Sequence, residues 1–264
     1  MSGPEIAIRE CTSVEDFQQC IDLERAVWND ADIGIMPIRL YMISKACNAP
    51  TFGAFEASGE SAGKLVGFVH TMIAIMNKQV VYHSHLAAVL EGWRHKDIGY
   101  KMKLAQREHA MNAGVPLIIW TFDPLQSRNA HFNINKLGAI IRRYAVNYYG
   151  EGLSTVFDMA VPSDRLFAEW WVSSPHVESA LAGKRPQAPD VPEMQDKLHS
   201  VSIPDDIEKV RAQSLEEHQR WRARVREDFQ NELDAGLIVR GFEREGGTGR
   251  YLFGPDEAQF HFRD

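Results

Sequence analysis

The stretch that most restricts the fold is VLEGWRHKDIGYKMKLAQREHAMNAG, Val89 to Gly114. It leaves a strand-like run, crosses a turn carrying Arg94, His95 and Lys96, and enters a long amphipathic helix. Ile98, Met102, Ala105 and His109 follow at helical spacing. That spacing buries one side of the helix and leaves its first turn open. The first amides of a helix have no partner within it, and the helix dipole is positive there, so the turn suits an anion. Gly99 lets a ligand or a neighbouring backbone approach closely. A solvated basic turn explains the same residues, so the stretch alone leaves both readings open.

The flanking sequence supplies an order of elements. Glu5–Cys11 reads as a short strand, and Ser13 as the cap of a helix carrying Val14, Phe17, Ile21 and Trp28, with Asp16 in the place of the usual Glu or Gln. A second short helix is expected around Arg39 to Cys47. TFGAFEASGESAGKLVGFVHTMIAI reads as two strands around a Gly/Ser turn, and KQVVYHSHLAAVL as the next strand. After the Val89–Gly114 stretch come a buried strand, PLIIWTF, a helix over SRNAHFNINKLGA closing on Gly138, and two strands, IIRRYAVNYYG and STVFDMAV. This succession implies an α/β fold with a mixed, mostly antiparallel sheet and helices on its faces.

From about Pro162 the character changes. GKRPQAPDVPEMQDK is a Pro-rich linker-like segment. SLEEHQRWRARVREDFQNELDAG is a long helix with Trp221, Val225, Phe229 and Leu233 on one stripe and Gly236 at its end. LIVRGFEREGGTGRYLFG reads as a hairpin turning at Gly246-Gly247. The expected organisation is a domain over 1–163 and a C-terminal α+β extension over 164–264, made of linker, long helix and hairpin.

The 264 residues are 44% hydrophobic and 25% charged, enough apolar material for a core. A net charge of −7 argues against nucleic-acid binding by bulk charge. Three cysteines, Cys11, Cys20 and Cys47, form no CxxC pair and point to a reducing compartment. The first residues carry charges and lack the apolar run of a signal peptide. Leu65–Met76 is too short to span a bilayer. The expectation is a cytoplasmic protein without nucleic-acid or membrane partners.

VLEGWRHKDIG resembles the acyl-CoA pyrophosphate loop of the GNAT superfamily of acyltransferases, in which a strand ending in Val leads to Arg/Gln-x-x-Gly-x-Gly/Ala at the start of a long helix. Val89, Arg94 and Gly99 fall at matching places, and Asp97 replaces the first Gly. NAHFNINKLGA resembles the family's later helix, Ala-x-x-Leu-Tyr-x-x-x-Gly-Phe. Ala130 and Gly138 match, with Ile134 at the Tyr position and Ala139 at the Phe position. The resemblance covers about Glu5 to Val161. It implies a GNAT-like central sheet and an acyl-CoA-dependent N-acyltransferase, in which an amine attacks the thioester directly. Pantetheine would bond to the backbone of Leu86, Ala87, Ala88 and Val89. The pyrophosphate would rest on amides of Arg94, His95, Lys96, Asp97, Ile98 and Gly99, with Tyr100 and Asn129 also at the cofactor. The Tyr that in many relatives protonates the thiolate is missing. WTFDPLQSRNAHFNINKLGA and YAVNYYG are also similar to a subgroup with a comparable extension, some of whose members transfer succinyl groups to amino acids.

The expected co-substrate is therefore acetyl-CoA or succinyl-CoA, with no metal, and the acceptor a small amine or amino acid. His83 and His85 alternate along one strand, just before the expected cofactor segment. They suit proton removal from the amine, with His85 acting through water, better than a metal site that has no third ligand nearby. Arg142 and Arg143, with Arg128, are the cations expected to meet a donor carboxylate. Being adjacent on a strand, Arg142 and Arg143 cannot both face one cleft. The partners expected are the amine and a second copy of the chain. The alternative function is a non-catalytic acyl-CoA sensor or a protein-interaction module, which Asp97 and Ile134 favour.

Overall fold

The computed structural model describes residues 5–28, 34–94, 96–150, 162–184 and 199–262. It divides into two compact units, Met1–Ile118 and Ile119–Asp264.

The first unit contains β1 (Ile6–Glu10), α1 (Val14–Trp28), α2 (Ile38–Ala46), β2 (Thr51–Glu56), β3 (Leu65–Met76), β4 (Gln79–Val89) and α3 (Ile98–Asn112). Its strands run in sequence order, each antiparallel to the next. The Ser13 cap forms as expected. Its hydroxyl accepts from the Asp16 amide at 3.1 Å, and the Asp16 carboxylate accepts from the Thr12 amide at 2.9 Å. Asp16 also takes both guanidinium nitrogens of Arg9, which hold its pKa down to about 2.

Each face of this sheet carries its own core. Phe17, Cys20, Ile21 and Leu23 of α1 and Tyr41 of α2 pack with Phe55, Phe68 and Ala88. Ile98 and Met102 of α3 pack with Ala54, Val66, Val69 and Val89. Full burial of each large apolar side chain contributes roughly 1.5–3 kcal/mol. The buried stripe of α3 is Ile98, Met102, Lys103, Gln106 and Ala110, so two polar residues replace the expected Ala105 and His109.

β5 (Leu117–Phe122) crosses the boundary between the units. The second unit continues with α4 (Ser127–Ala130), a π-turn over His131–Lys136, β6 (Ile140–Ala145), β7 (Arg165–Trp171), α5 (Pro175–Leu181), β8 (Ser200–Pro204), α6 (Ile207–Gln213), α7 (Leu215–Asp234), β9 (Leu237–Glu245) and β10 (Thr248–Pro255). Within it the strand order is β7-β6-β9-β10-β8. The hairpin turn is at Gly246-Gly247, both with positive φ, as a tight right-twisted hairpin requires.

The expected strand over STVFDMAV and most of the Pro-rich linker lie outside the described residues. Among the described residues β6 pairs with β9 and with β7, which begins beyond residue 163. RLFAEWW is buried on both faces, as an interior strand is, and carries Glu169 inside with Arg142 beside it. Trp170 lies wholly buried there and donates its indole N–H to the Leu137 carbonyl at 2.6 Å.

The buried seam of α7 is His218, Arg222, Val225 and Phe229, rotated from the stripe expected through Trp221 and Leu233. Arg222 can lie inside because Asp123 meets it with two 2.8 Å hydrogen bonds. One turn on, Arg226 makes two 2.9 Å bonds to the fully buried Asp164, which also accepts from the Tyr144 hydroxyl at 2.6 Å. Among the described residues no helix is long and apolar enough to cross a membrane.

Candidate functional site

The site begins with an irregularity in β4. Leu86 pairs with His70 and Ser84 with Thr71, so His85 is an extra residue, a β-bulge, opposite a single step of β3. A bulge reverses which side chains face which way, and bulges gather next to active sites. Leu86 and Ala88 pack into the core on the α1/α2 face. Beyond the bulge Ser84 turns to α3, where its hydroxyl accepts from the Lys103 ammonium at 2.7 Å.

Three imidazoles gather on the other side. The His85 ring lies 5.9 Å from that of His83 and 6.4 Å from that of His70, centroid to centroid. His70 is fully buried against Tyr41, with Thr51 Oγ1 at 2.7 Å from Nδ1 and Ser44 Oγ at 3.3 Å from Nε2. Burial, with a smaller effect of His85, lowers its pKa to about 3. Burial first, then His85 and Lys103, lowers that of His83 to about 4. His85 is exposed to solvent, and partial desolvation lowers its pKa as well. All three are therefore neutral at neutral pH, but His70 is fully buried with both ring nitrogens engaged by Thr51 and Ser44, which leaves His83 and His85 to accept from an amine. His85 is the one with open access. Among the described residues no group of His, Cys, Asp and Glu could hold a metal ion.

Beneath the bulge, Lys103 and Gln106 sit one turn apart on α3. The Lys103 ammonium also donates to Gln106 Oε1 at 3.1 Å, and Gln106 Nε2 donates to Thr71 Oγ1 at 2.8 Å. All four side chains are buried, and burial lowers the Lys103 pKa to about 7. Composition hides this group. No sequence signal marks it either: a Lys and a Gln three apart on a helix read as its solvated face.

The β4 strand then runs into the expected anion turn. Leu86 and Val89 are half-buried, Ala87 exposed and Ala88 buried, and all four pair with Gly67–His70 of β3. Asp97 precedes α3 with φ 54° and ψ 16°, in the left-handed region that favours glycine and tolerates Asp better than most residues. That conformation accounts for glycine at this place in the resembling loop. The Asp97 side chain does not cap α3, and no acidic residue occupies its first turn. Ile98 is buried and anchors the helix start. Gly99 has ordinary φ, and a Cβ placed there would meet nothing within 4 Å, so its value is open space rather than backbone freedom. Arg94 Nε reaches back to the Val89 carbonyl at 3.4 Å, and the Lys96 ammonium lies 4.4 Å from the centre of the Trp93 ring. Tyr100 is half-buried, and His95 lies outside the described residues.

In the second unit, Asn129 is exposed on α4 and Ile134 is wholly buried in the π-turn. Arg142, expected to meet a substrate carboxylate, is the bulged residue of β6. Its guanidinium lies 3.0 Å from Glu169 and bonds Asp256 at 2.9 Å and the Phe260 carbonyl at 2.8 Å. Its charge is neutralised within the fold. Arg143 is exposed, its guanidinium 3.9 Å from the centre of the Phe167 ring.

No protein-family model and no curated protein matches the chain. Solved structures do. A chain of the NatC complex bound to Gag peptide and CoA is 14% identical with a TM-score of 0.51, over 62% of this chain and 97% of that one. A GNAT-family protein from Desulfovibrio desulfuricans is 12% identical with a TM-score of 0.50, over 64% and 100%. At such identities the likeness is one of architecture: the chain has the fold of the GNAT acyltransferases.

Proposed function

We propose that the chain is an acyl-CoA-dependent N-acyltransferase that acts on a small amine or amino acid by direct attack. The observation that carries this reading is the continuity of one strand. β4 holds a bulged, accessible His85 and leads within a few residues into a helix start without a side-chain cap or an acidic first turn. The residues fit the group: the α3 terminus supplies amides, Gly99 supplies room, and Lys96 and Arg94 supply positive charge. The NatC complex, one chain of which shares this fold, is bound to Gag peptide and CoA, which supports CoA binding here.

Bound acyl-CoA would supply the activated thioester carbonyl. The protein's part is to hold the donor by its pyrophosphate, bring the amine close and take up its proton. Proximity alone can supply several kcal/mol of the barrier. Neutral His85 accepts the ammonium proton, directly or through water, and passes it to solvent; as the C–S bond breaks, the departing CoA thiolate takes up the proton that nitrogen loses on forming the amide. His83, with a pKa of about 4, is too weak a base to hold that proton and instead serves as a hydrogen-bond acceptor beside it. Arg142, one of the cations expected to favour a succinyl over an acetyl donor, is already paired with Glu169 and Asp256, so it gives no support to that preference.

The test is release of free CoA thiol from acetyl-CoA and from succinyl-CoA over a panel of small amines, with the product identified by mass. Acyl transfer to an amine supports the reading. CoA binding without turnover on any amine favours a non-catalytic acyl-CoA sensor, which the burial of Ile134 at the usual Tyr position also favours.

A further inference from the structure

We infer that Lys103 is a positioning residue: with Gln106 it clasps the two strands at the β4 bulge and so fixes the direction in which His85 meets the acceptor. This rests on the proposed acyl transfer at the same site.

The geometry is specific. Thr71 and Ser84 are direct register partners at the step where the bulge begins. Gln106 bonds Thr71 on β3, Lys103 bonds Ser84 on β4, and Lys103 and Gln106 bond each other. A single turn of α3 thus grips both sides of the irregular step. Without the bulge, Ser84 would share the α1/α2 face of Leu86 and Ala88, because strand side chains alternate, and could not reach Lys103. The Lys103–Ser84 bond therefore exists only in the bulged register.

The chemistry also argues against a packing role alone. A buried ammonium is costly to desolvate, and an apolar residue at the same place would bury at no such cost. Lys103 does not touch the reacting atoms in this arrangement: it is fully buried on the α3 side, whereas the His85 ring stands with His83 and His70. Its action is through Ser84 and the backbone. A ligand held at the start of α3 is held by the helix whose next turn holds the bulge, so donor and base share one rigid support.

The experiment compares Lys103→Met, Ser84→Ala and the double variant with wild type. Lys103→Met keeps the length and packs without a charge, and Ser84→Ala removes only the bond. Both should lower kcat roughly 10- to 100-fold, as small misplacements of a reacting group do. KM for the acyl donor and the calorimetric Kd for CoA should stay within about two-fold of wild type, which a loss of fold would not allow. The double variant should fall no further than either single one. Independently of turnover, the backbone amide resonances of Ser84, His85 and Leu86 should move in Lys103→Met while those of Ile98–Tyr100 stay. Wild-type kcat in both single variants, or unmoved resonances at the bulge, would overturn the inference. An inactive wild type with those resonances shifted would overturn the acyl-transfer reading while leaving the clasp in place.

Discussion

Arg222 of α7 and Asp123, just after β5, face each other through two parallel hydrogen bonds of 2.8 Å, with the guanidinium almost wholly buried. Fork-on-fork geometry of this kind is the strongest form of side-chain pairing. Breaking a fully buried pair from one side costs about 3–5 kcal/mol, and because Asp123 is partly exposed with Arg165 at 3.9 Å, the loss here should lie at or below the low end of that range. Arg222→Ala should therefore lower the urea midpoint. Replacing both Arg222 and Asp123 by apolar residues should recover much of the loss. Equal destabilisation by the double change would mean that the pair contributes by packing rather than by charge.

Asp97 and Gly99 frame the turn into α3 and should act on CoA in opposite senses. Asp97→Gly relieves a left-handed non-glycine residue and removes a carboxylate from the proposed anion site. A unit charge near a phosphate is worth roughly 1 kcal/mol in a solvated setting, so CoA affinity should rise about five- to ten-fold at low salt. Gly99→Glu fills open space with bulk and negative charge, and should abolish CoA binding without lowering Tm. Calorimetry at two salt concentrations reads both. Unchanged affinity in the two variants would remove the turn from the site.

His85→Ala should lower kcat roughly 10²-fold if the imidazole takes the amine proton. The deficit should shrink as pH rises, because an amine that has already lost its proton needs no base. A pH-rate profile of variant and wild type decides the point, and a loss of constant size across pH would assign His85 to packing.

His70 and His83 make the fold acid-sensitive. Their folded pKa values, about 3 and about 4, lie below the ordinary value of 6.5. Between these limits the unfolded chain binds more protons, so stability rises with pH and is lost as pH falls below about 6.5. The loss continues towards the folded values and amounts to a few kcal/mol on the order of magnitude. His83→Gln, which cannot titrate, should lose less stability than wild type between pH 7 and pH 4.5 in urea unfolding. The same loss in both would contradict the burial argument for His83.

Local chemistry was enough to see much of this protein beforehand. The Ser13–Asp16 cap, the β2–β3 hairpin, the helix from Ile98 and the Gly246-Gly247 turn each depend on a few neighbouring residues. The order of those elements and the two quoted stretches carried the resemblance to the GNAT fold, which the solved structures share. β7 escaped because RLFAEWW, with Arg165 and Glu169 set among apolar residues, lacks the strict alternation that marks a strand, and its partner β6 lies some way back in sequence.

What the sequence determined by itself is therefore whatever has a short range: caps, turns, strand alternation and the basic entry to α3. What the tertiary structure alone decided is where charge and register end up. Lys103, Gln106, Arg222 and Asp164 read as surface residues, because solvation is the default for polar groups. They are buried because a partner on another element meets each one, and no local pattern announces a partner 19 or 99 residues away. The bulge at His85 is of the same kind. One extra residue in β4 exists only relative to the register of β3, and that register alone turns Ser84 towards α3 and gathers His70, His83 and His85 together.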